Sequence, residues 1–278
     1  MFSRPGSELF VPDGTPPAAA IGRTTHLGIG AHADDLEIMA IHGILECYEV
    51  SDRFFTGVTV TDGAGSPGGE TQGSRDELVA LRKSEQKRAA ELGRYGAQVF
   101  LDHTSEAVKS GSPEVVADLR SLLGQTRPRV VYTHALSDRH DTHVAVALRV
   151  LSACQSLPAT ERPERILGCE VWRDLDWLSA SDKIALPVDD HEALQWELVS
   201  VFTSQIGSGK RYDRAALGRR HANAVFSESH HTDRHSAIVW AMDLTPLSLP
   251  GSEPAAYAER LIRSLESDVM TRLARLSH

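Results

Sequence analysis

The run His32-Ala33-Asp34-Asp35-Leu36-Glu37 sets one imidazole and two adjacent carboxylates directly after a strand-like segment, residues 25–30. A His and an Asp three residues apart can face one cation. The neighbouring Asp is then left to face a water bound to that cation. A second group, Asp138-Arg139-His140-Asp141-Thr142-His143, follows another strand-like run, residues 129–133. His140 and His143 are three apart, so both can face one side of a helix start. In open α/β sheets ligands bind beyond the carboxyl ends of the strands. Two polar clusters at two strand ends therefore suggest one metal site assembled from both. His and Asp ligation with a coordination position left open suits a catalytic zinc.

The elements that must position these groups read as an alternation. Short apolar runs at 25–30, 54–60, 97–101 and 129–133 predict strands. Between them, 36–50, 74–93, 113–125 and 143–157 have helical period, and Ser112-Pro113 is a good helix start. Such alternation implies a parallel sheet with right-handed crossovers. The second half is less regular, with strand-like runs at 166–172, 183–188 and 236–242 and helical ones at 189–202, 211–224 and 254–274. No linker or repeat separates the halves, so 25–278 reads as one domain that closes over the sheet edge. Residues 1–24, rich in Pro, Gly and Ala, read as an arm lying on the body. The Gly-rich run 63–69 reads as a flexible loop bordering the site.

With 278 residues, 41% hydrophobic and 24% charged, the chain fits an ordinary globular protein that needs no covalent staples. A formal net charge of −9 without a basic stripe argues against nucleic acid as a partner. Cys47, Cys154 and Cys169 are far apart and form no CxxC pair, so they read as reduced thiols. No secretory leader and no apolar run of ~18 residues is visible, so a cytoplasmic protein without a membrane segment is expected.

The first motif resembles the AHPDD(E) motif of the PIG-L/LmbE-like zinc deacetylases, with Ala33 in place of the usual Pro. Thr61-Asp62-Gly63, Arg82-Lys83-Ser84-Glu85 before Leu92-Gly93, Thr133-His134 through His140-x-x-His143, and Ser204-Gln205 are similar to further family segments in the same order. The resemblance implies a single Rossmann-like α/β domain, a mostly parallel sheet flanked by helices. It implies one Zn²⁺ per chain held by His32, Asp35 and His143, with Asp34 as general base. His140 would stabilise the oxyanion or protonate the leaving amine. The family usually carries Asp immediately before the third ligand, where it orients the catalytic His. This chain has Thr142 there, so Asp141 or Asp138 is expected to take that role on the His140 ring. Arg82, and Asp102 at the third strand end, are expected to bind substrate. The implied reaction removes an N-acetyl group from an N-acetylglucosamine-type small conjugate. An amidase acting on a related acyl or thiol conjugate and a non-catalytic metal-binding homologue are the alternatives. Homo-oligomerisation stays open.

Rival readings are weaker. Gly28-x-Gly30-x-x-Ala33 satisfies a loose dinucleotide-binding pattern, but Asp34 and Asp35 would put like charge where the pyrophosphate must sit. In Ser229-His230-His231-Thr232-Asp233-Arg234-His235, His231 and His235 have i, i+4 spacing. That segment lies outside a clear helix and reads as surface or a substrate-lining loop more readily than as a second metal site. Arg82 and Glu85 could equally form an exposed helical ion pair.

Overall fold

Apolar runs and helical segments build the expected alternation in the computed structural model, which describes residues 2–64, 74–207 and 209–277. The first half comprises β1 (Glu8–Phe10), α1 (Pro17–Gly22), β2 (His26–Gly30), α2 (Asp35–Met39), α3 (Ile41–Cys47), β3 (Phe55–Thr61), α4 (Arg75–Leu92), β4 (Ala97–His103), α5 (Ser105–Ser110), α6 (Pro113–Thr126), β5 (Val130–His134) and α7 (Asp141–Gln155). There follow β6 (Arg165–Cys169), β7 (Ile184–Pro187), α8 (Glu192–Ser200), α9 (Thr203–Ile206), α10 (Tyr212–Val225), β8 (Ile238–Asp243) and α11 (Pro254–Leu276).

Among the described residues the strands form one eight-stranded sheet, ordered β1-β4-β3-β2-β5-β6-β8-β7. β2 to β6 pair in parallel, and β1, β8 and β7 add antiparallel to their neighbours. β2 and β3 are buried along their whole length, as parallel strands covered on both faces must be. Ile29, Val58, Val99 and Val131 pack with Leu119, Val146 and Val150 in one core, and Leu36, Phe55, Ala89 and Tyr132 with Leu198 in another. From β2 the chain builds outward through β3 and β4, then returns to place β5 against the other side of β2. That reversal opens a crevice at the carboxyl ends of β2 and β5, where a doubly wound sheet takes its ligand.

The structure departs from the sequence reading in the first helix and in the N-terminal arm. The single helix expected over 36–50 is two, broken at Ala40 (φ −103°), after which Gly43 meets Tyr132 so closely that a Cβ would lie 2.5 Å from the ring. Within residues 1–24, β1 is an edge strand on β4 and α1 is a short helix; a three-residue strand carries too little pattern to be read locally. The run 63–69 lies outside the described residues from Gly65 on. No helix among the described residues is long and apolar enough to cross a membrane.

Candidate active site

The loop after β2 is held from several sides. The Ala31 N–H donates to His134 Nε2 at 2.9 Å, and the His32 N–H to Asp35 Oδ2 at 2.7 Å. Asp34 adopts φ +84°, in the left-handed region that Asp tolerates better than most side chains. Gln86 on α4 steadies this turn: Oε1 faces the Asp34 N–H at 3.4 Å, and Nε2 donates to Glu37 Oε1 at 2.7 Å. Glu37 also accepts from the Tyr95 hydroxyl at 2.7 Å. Burial pushes its carboxyl up to about 7, against the pull of those hydrogen bonds.

The second loop lies between β5 and α7. Asp138 turns back so that Oδ1 accepts the His140 N–H at 2.9 Å and Oδ2 accepts the Trp172 N–H at 3.1 Å. His140 caps α7, its Nδ1 accepting the Thr142 N–H at 3.2 Å. One turn on, His143 is buried.

The two loops meet. His32 Nδ1 and His143 Nε2 are 3.2 Å apart, His32 Nδ1 and Asp35 Oδ2 3.5 Å, and His143 Nε2 and Asp35 Oδ1 3.4 Å. Donor atoms ~2.1 Å from a tetrahedral ion stand ~3.4 Å from one another. His32 and His143 stand at about that spacing, and Asp35 approaches each of them with a different carboxylate oxygen, Oδ2 toward His32 and Oδ1 toward His143. Two compact groups among the described residues could hold a metal, His32 with His140 and His143, and Asp35 with His134 and His143; in the second the His134 Nε2 lone pair already takes the Ala31 N–H. On the far side of His143, Nδ1 lies 3.6 Å from Asp138 Oδ2. A carboxylate behind a ligating imidazole fixes its tautomer and plane.

Electrostatics separate the two aspartates. Burial and the charges of Asp35, Glu37 and Glu85 hold the Asp34 carboxyl well above its ordinary value, with Arg82 opposing. Burial also opposes ionisation of Asp35, but the nearby His143 and the contact with His32 outweigh it and hold Asp35 well below its ordinary value. Burial pushes His143 down to about 4, which keeps its nitrogen free for a metal. Burial and the nearby His32 also lower His140.

A cavity of about 260 Å³ opens over these groups. Its wall includes His32, Asp34, Asp35, Arg82, His140 and His143. Trp172, Tyr212 and Arg219 complete it from beyond β6 and from α10. The Trp172 and Tyr212 rings meet edge to face at 5.6 Å.

Sequence reasoning placed His32, Asp34, Asp35, His140, His143 and Arg82 at a site, and the structure brings these six to this cavity. Arg82 does not form an exposed pair with Glu85; it donates to the Gly63 carbonyl beside the site. Glu85 instead accepts from Thr203 and Ser204, tying α4 to α9. Gln205 donates to the Ala33 carbonyl at 2.6 Å and lines the cavity. Asp102, expected at the substrate, stands elsewhere. Its left-handed backbone (φ +59°) accompanies a carboxylate paired with Lys83 at 2.8 Å and pressed against Gly6, where a Cβ would lie 2.0 Å from Oδ2. Nor does a carboxylate hydrogen-bond the His140 ring among the described residues. Asp138 is too close in sequence to reach past the His140 backbone and serves His143 instead, while Asp141 is exposed in the first turn of α7. His231 and His235 pair with Glu228 and Asp189 on the surface, away from the cavity. Gly28 and Gly30 make room for Phe55, Leu36 and Asp35 rather than for a pyrophosphate. All three cysteines are buried free thiols. Sequence reasoning missed Gln86, Glu37 and Tyr95 behind the first loop and Trp172, Tyr212 and Arg219 across the cavity. Glu37 alone carried a signal, as a carboxylate inside the first motif.

Residues 27–154 match the model of the PIG-L family, described as GlcNAc-PI de-N-acetylase. No curated protein matches the chain in sequence. Among solved structures, the chain is similar to N,N'-diacetylchitobiose deacetylase from Pyrococcus horikoshii, complexed with its inhibitor MPG, at TM-score 0.61 and 18% identity over 79% of this chain and 84% of that one. It is similar to GalB, the 4-carboxy-2-hydroxymuconate hydratase from Pseudomonas putida KT2440, at TM-score 0.57 and 16% identity over 80% and 97%. The A40926 pseudoaglycone deacetylase Dbv21 gives TM-score 0.57 and 17% identity over 80% and 97%. At these identities the likeness is one of fold, and the fold carries a hydratase as well as deacetylases.

Proposed function

We propose, from the match of residues 27–154 to the PIG-L family model, that the chain is a zinc-dependent N-deacetylase acting on an N-acetylglucosamine-type small conjugate. The observation that carries the reading is the approach of His32, Asp35 and His143 to within 3.5 Å of one another, with Asp34 and His140 on the same cavity. His32 Nδ1, His143 Nε2 and the Asp35 carboxylate would hold the ion. When bound, zinc polarises the amide carbonyl and makes water a nucleophile near neutral pH.

The rest falls to the chain's own groups. Asp34, with its carboxyl held up by burial, takes a proton from the attacking water and returns it to the leaving amine. His140 Nδ1 accepts from Thr142, so the ring's proton is on Nε2 and serves as a donor to the developing oxyanion. Accepting from Thr142 needs a neutral ring, in keeping with the lowered His140. Trp172 and Tyr212 offer flat apolar faces to a sugar ring.

The test is release of acetate from N-acetylglucosamine conjugates by the zinc-loaded protein, abolished by chelation and by His143→Ala. Turnover of other amides but not acetamides would favour the amidase alternative. Tight zinc binding without turnover of any amide would refute catalysis and leave a metal-binding homologue.

A further inference from the structure

His134 ends β5 with no exposed surface and no part in the chemistry above. Its Nε2 accepts the Ala31 N–H at 2.9 Å and touches Asp35 Oδ2 at 3.4 Å. Its ring stacks on that of His143, with centroids 3.9 Å apart and planes within 19°. We infer that His134 is a positioning residue of the metal centre. One nitrogen fixes the loop carrying His32 and Asp35, and the ring face fixes the plane of His143. The inference rests on the metal-centre reading and not on the substrate assigned to it.

The assignment follows from donor and acceptor counting. A ring nitrogen that accepts from Ala31 has neither a proton for Asp35 nor a lone pair for an ion. The proton of a neutral ring is therefore on Nδ1, which is buried and has no hydrogen-bond partner among the described residues. Ala31 immediately precedes His32, so this one bond sets where the first ligand begins. His143 comes from α7 and would otherwise be steered from behind by Asp138 alone, at 3.6 Å. One buried ring thus ties together the two loops whose meeting makes the site.

Two measurements test this without amide turnover. In ¹⁵N-histidine-labelled protein loaded with ¹¹³Cd²⁺, His32 and His143 should show cadmium–nitrogen coupling. His134 should show none and should carry its proton on Nδ1. Coupling at His134, or a proton on its Nε2, would overturn the assignment. The second measurement compares His134→Gln, which keeps an acceptor for Ala31 but loses the ring face, with His134→Phe, which keeps the face but loses the acceptor. Each should weaken the Zn²⁺ affinity of the metal-free protein by about 10–100-fold in chelator competition, the range for groups behind metal ligands. Wild-type affinity in either variant refutes the role assigned to the feature it lacks. An affinity loss seen only where the metal-free melting temperature also collapses refutes positioning in favour of plain core packing. Should one variant not fold, the other and the labelling experiment still decide. Wild-type protein that binds neither Zn²⁺ nor Cd²⁺ refutes the metal centre itself.

Discussion

Asp138→Asn separates the two tasks that one carboxylate performs between β5 and α7. All three partners of Asp138 present N–H groups: His140 N at 2.9 Å on Oδ1, and Trp172 N at 3.1 Å and His143 Nδ1 at 3.6 Å on Oδ2. An acceptor-only group satisfies both backbone donors and faces the His143 ring nitrogen from just beyond hydrogen-bond reach. A carboxamide has one oxygen, so whichever way it turns its NH₂ faces at least one N–H. Leaving a buried or half-buried donor unpaired costs ~1–3 kcal/mol. For a chain of this size each kcal/mol lowers the melting temperature by roughly 2–4 °C, so a fall of about 2–12 °C is expected in the metal-free protein. If the amide oxygen keeps His140, the NH₂ faces the His143 ring and Zn²⁺ affinity should fall by about 10–100-fold. If it turns the other way, the His140 loop loosens and the cost appears in kcat at nearly unchanged metal affinity. Scanning calorimetry of the metal-free protein and competition with a zinc-binding dye read the two effects separately. An Asp138→Asn protein with wild-type melting temperature, zinc affinity and kcat would refute the account of this turn.

Four further outcomes are expected. Asp34→Asn should keep bound zinc but lose about 10²–10⁴-fold in kcat, as for a lost acid/base group; loss of zinc would instead make Asp34 a ligand. Saturating zinc at about 100 times its dissociation constant should add ~2.7 kcal/mol of stability, visible as a rise in melting temperature that EDTA reverses and that Asp35→Ala abolishes. Asp102→Asn, which keeps a side chain that tolerates the left-handed backbone, should leave kcat and KM unchanged and cost at most ~1 kcal/mol, because the partly exposed carboxylate pairs with Lys83 away from the cavity; a raised KM would return it to the substrate. Burial lowers His26 from 6.5 to about 4, so its neutral form contributes stability above about pH 6.5 that is lost as pH falls toward 4. His26→Gln should accordingly flatten that limb of a melting temperature–pH curve, and an unchanged slope would show that another group drives it.

Local spacing made much of this protein legible in the sequence. β-Strand runs of apolar residues, the Ser112-Pro113 start and the helical periods gave a parallel α/β sheet with most of its elements. Where a strand ends in His-x-Asp-Asp, the polar groups are neighbours within one turn, so His32, Asp34, Asp35, His140 and His143 could be singled out in advance, and all five line one cavity. The tertiary structure decided everything that depends on which strand lies beside which. The β2–β5 switch point brings the two clusters together, and no residue spacing encodes that adjacency. The partner of Asp138 was settled by the path of the loop, which turns its carboxylate onto the His140 backbone and the back of His143 rather than onto the His140 ring. Asp102 faces Lys83 and Gly6 because a left-handed residue at the strand end rotates it out of line with its neighbours. Trp172, Tyr212 and Arg219 come to the cavity from segments at least 140 residues beyond His32, and His134 meets Ala31 across 103 positions. Side chains so remote in sequence become neighbours only when the sheet buries its two faces, so their roles are properties of packing rather than of any motif.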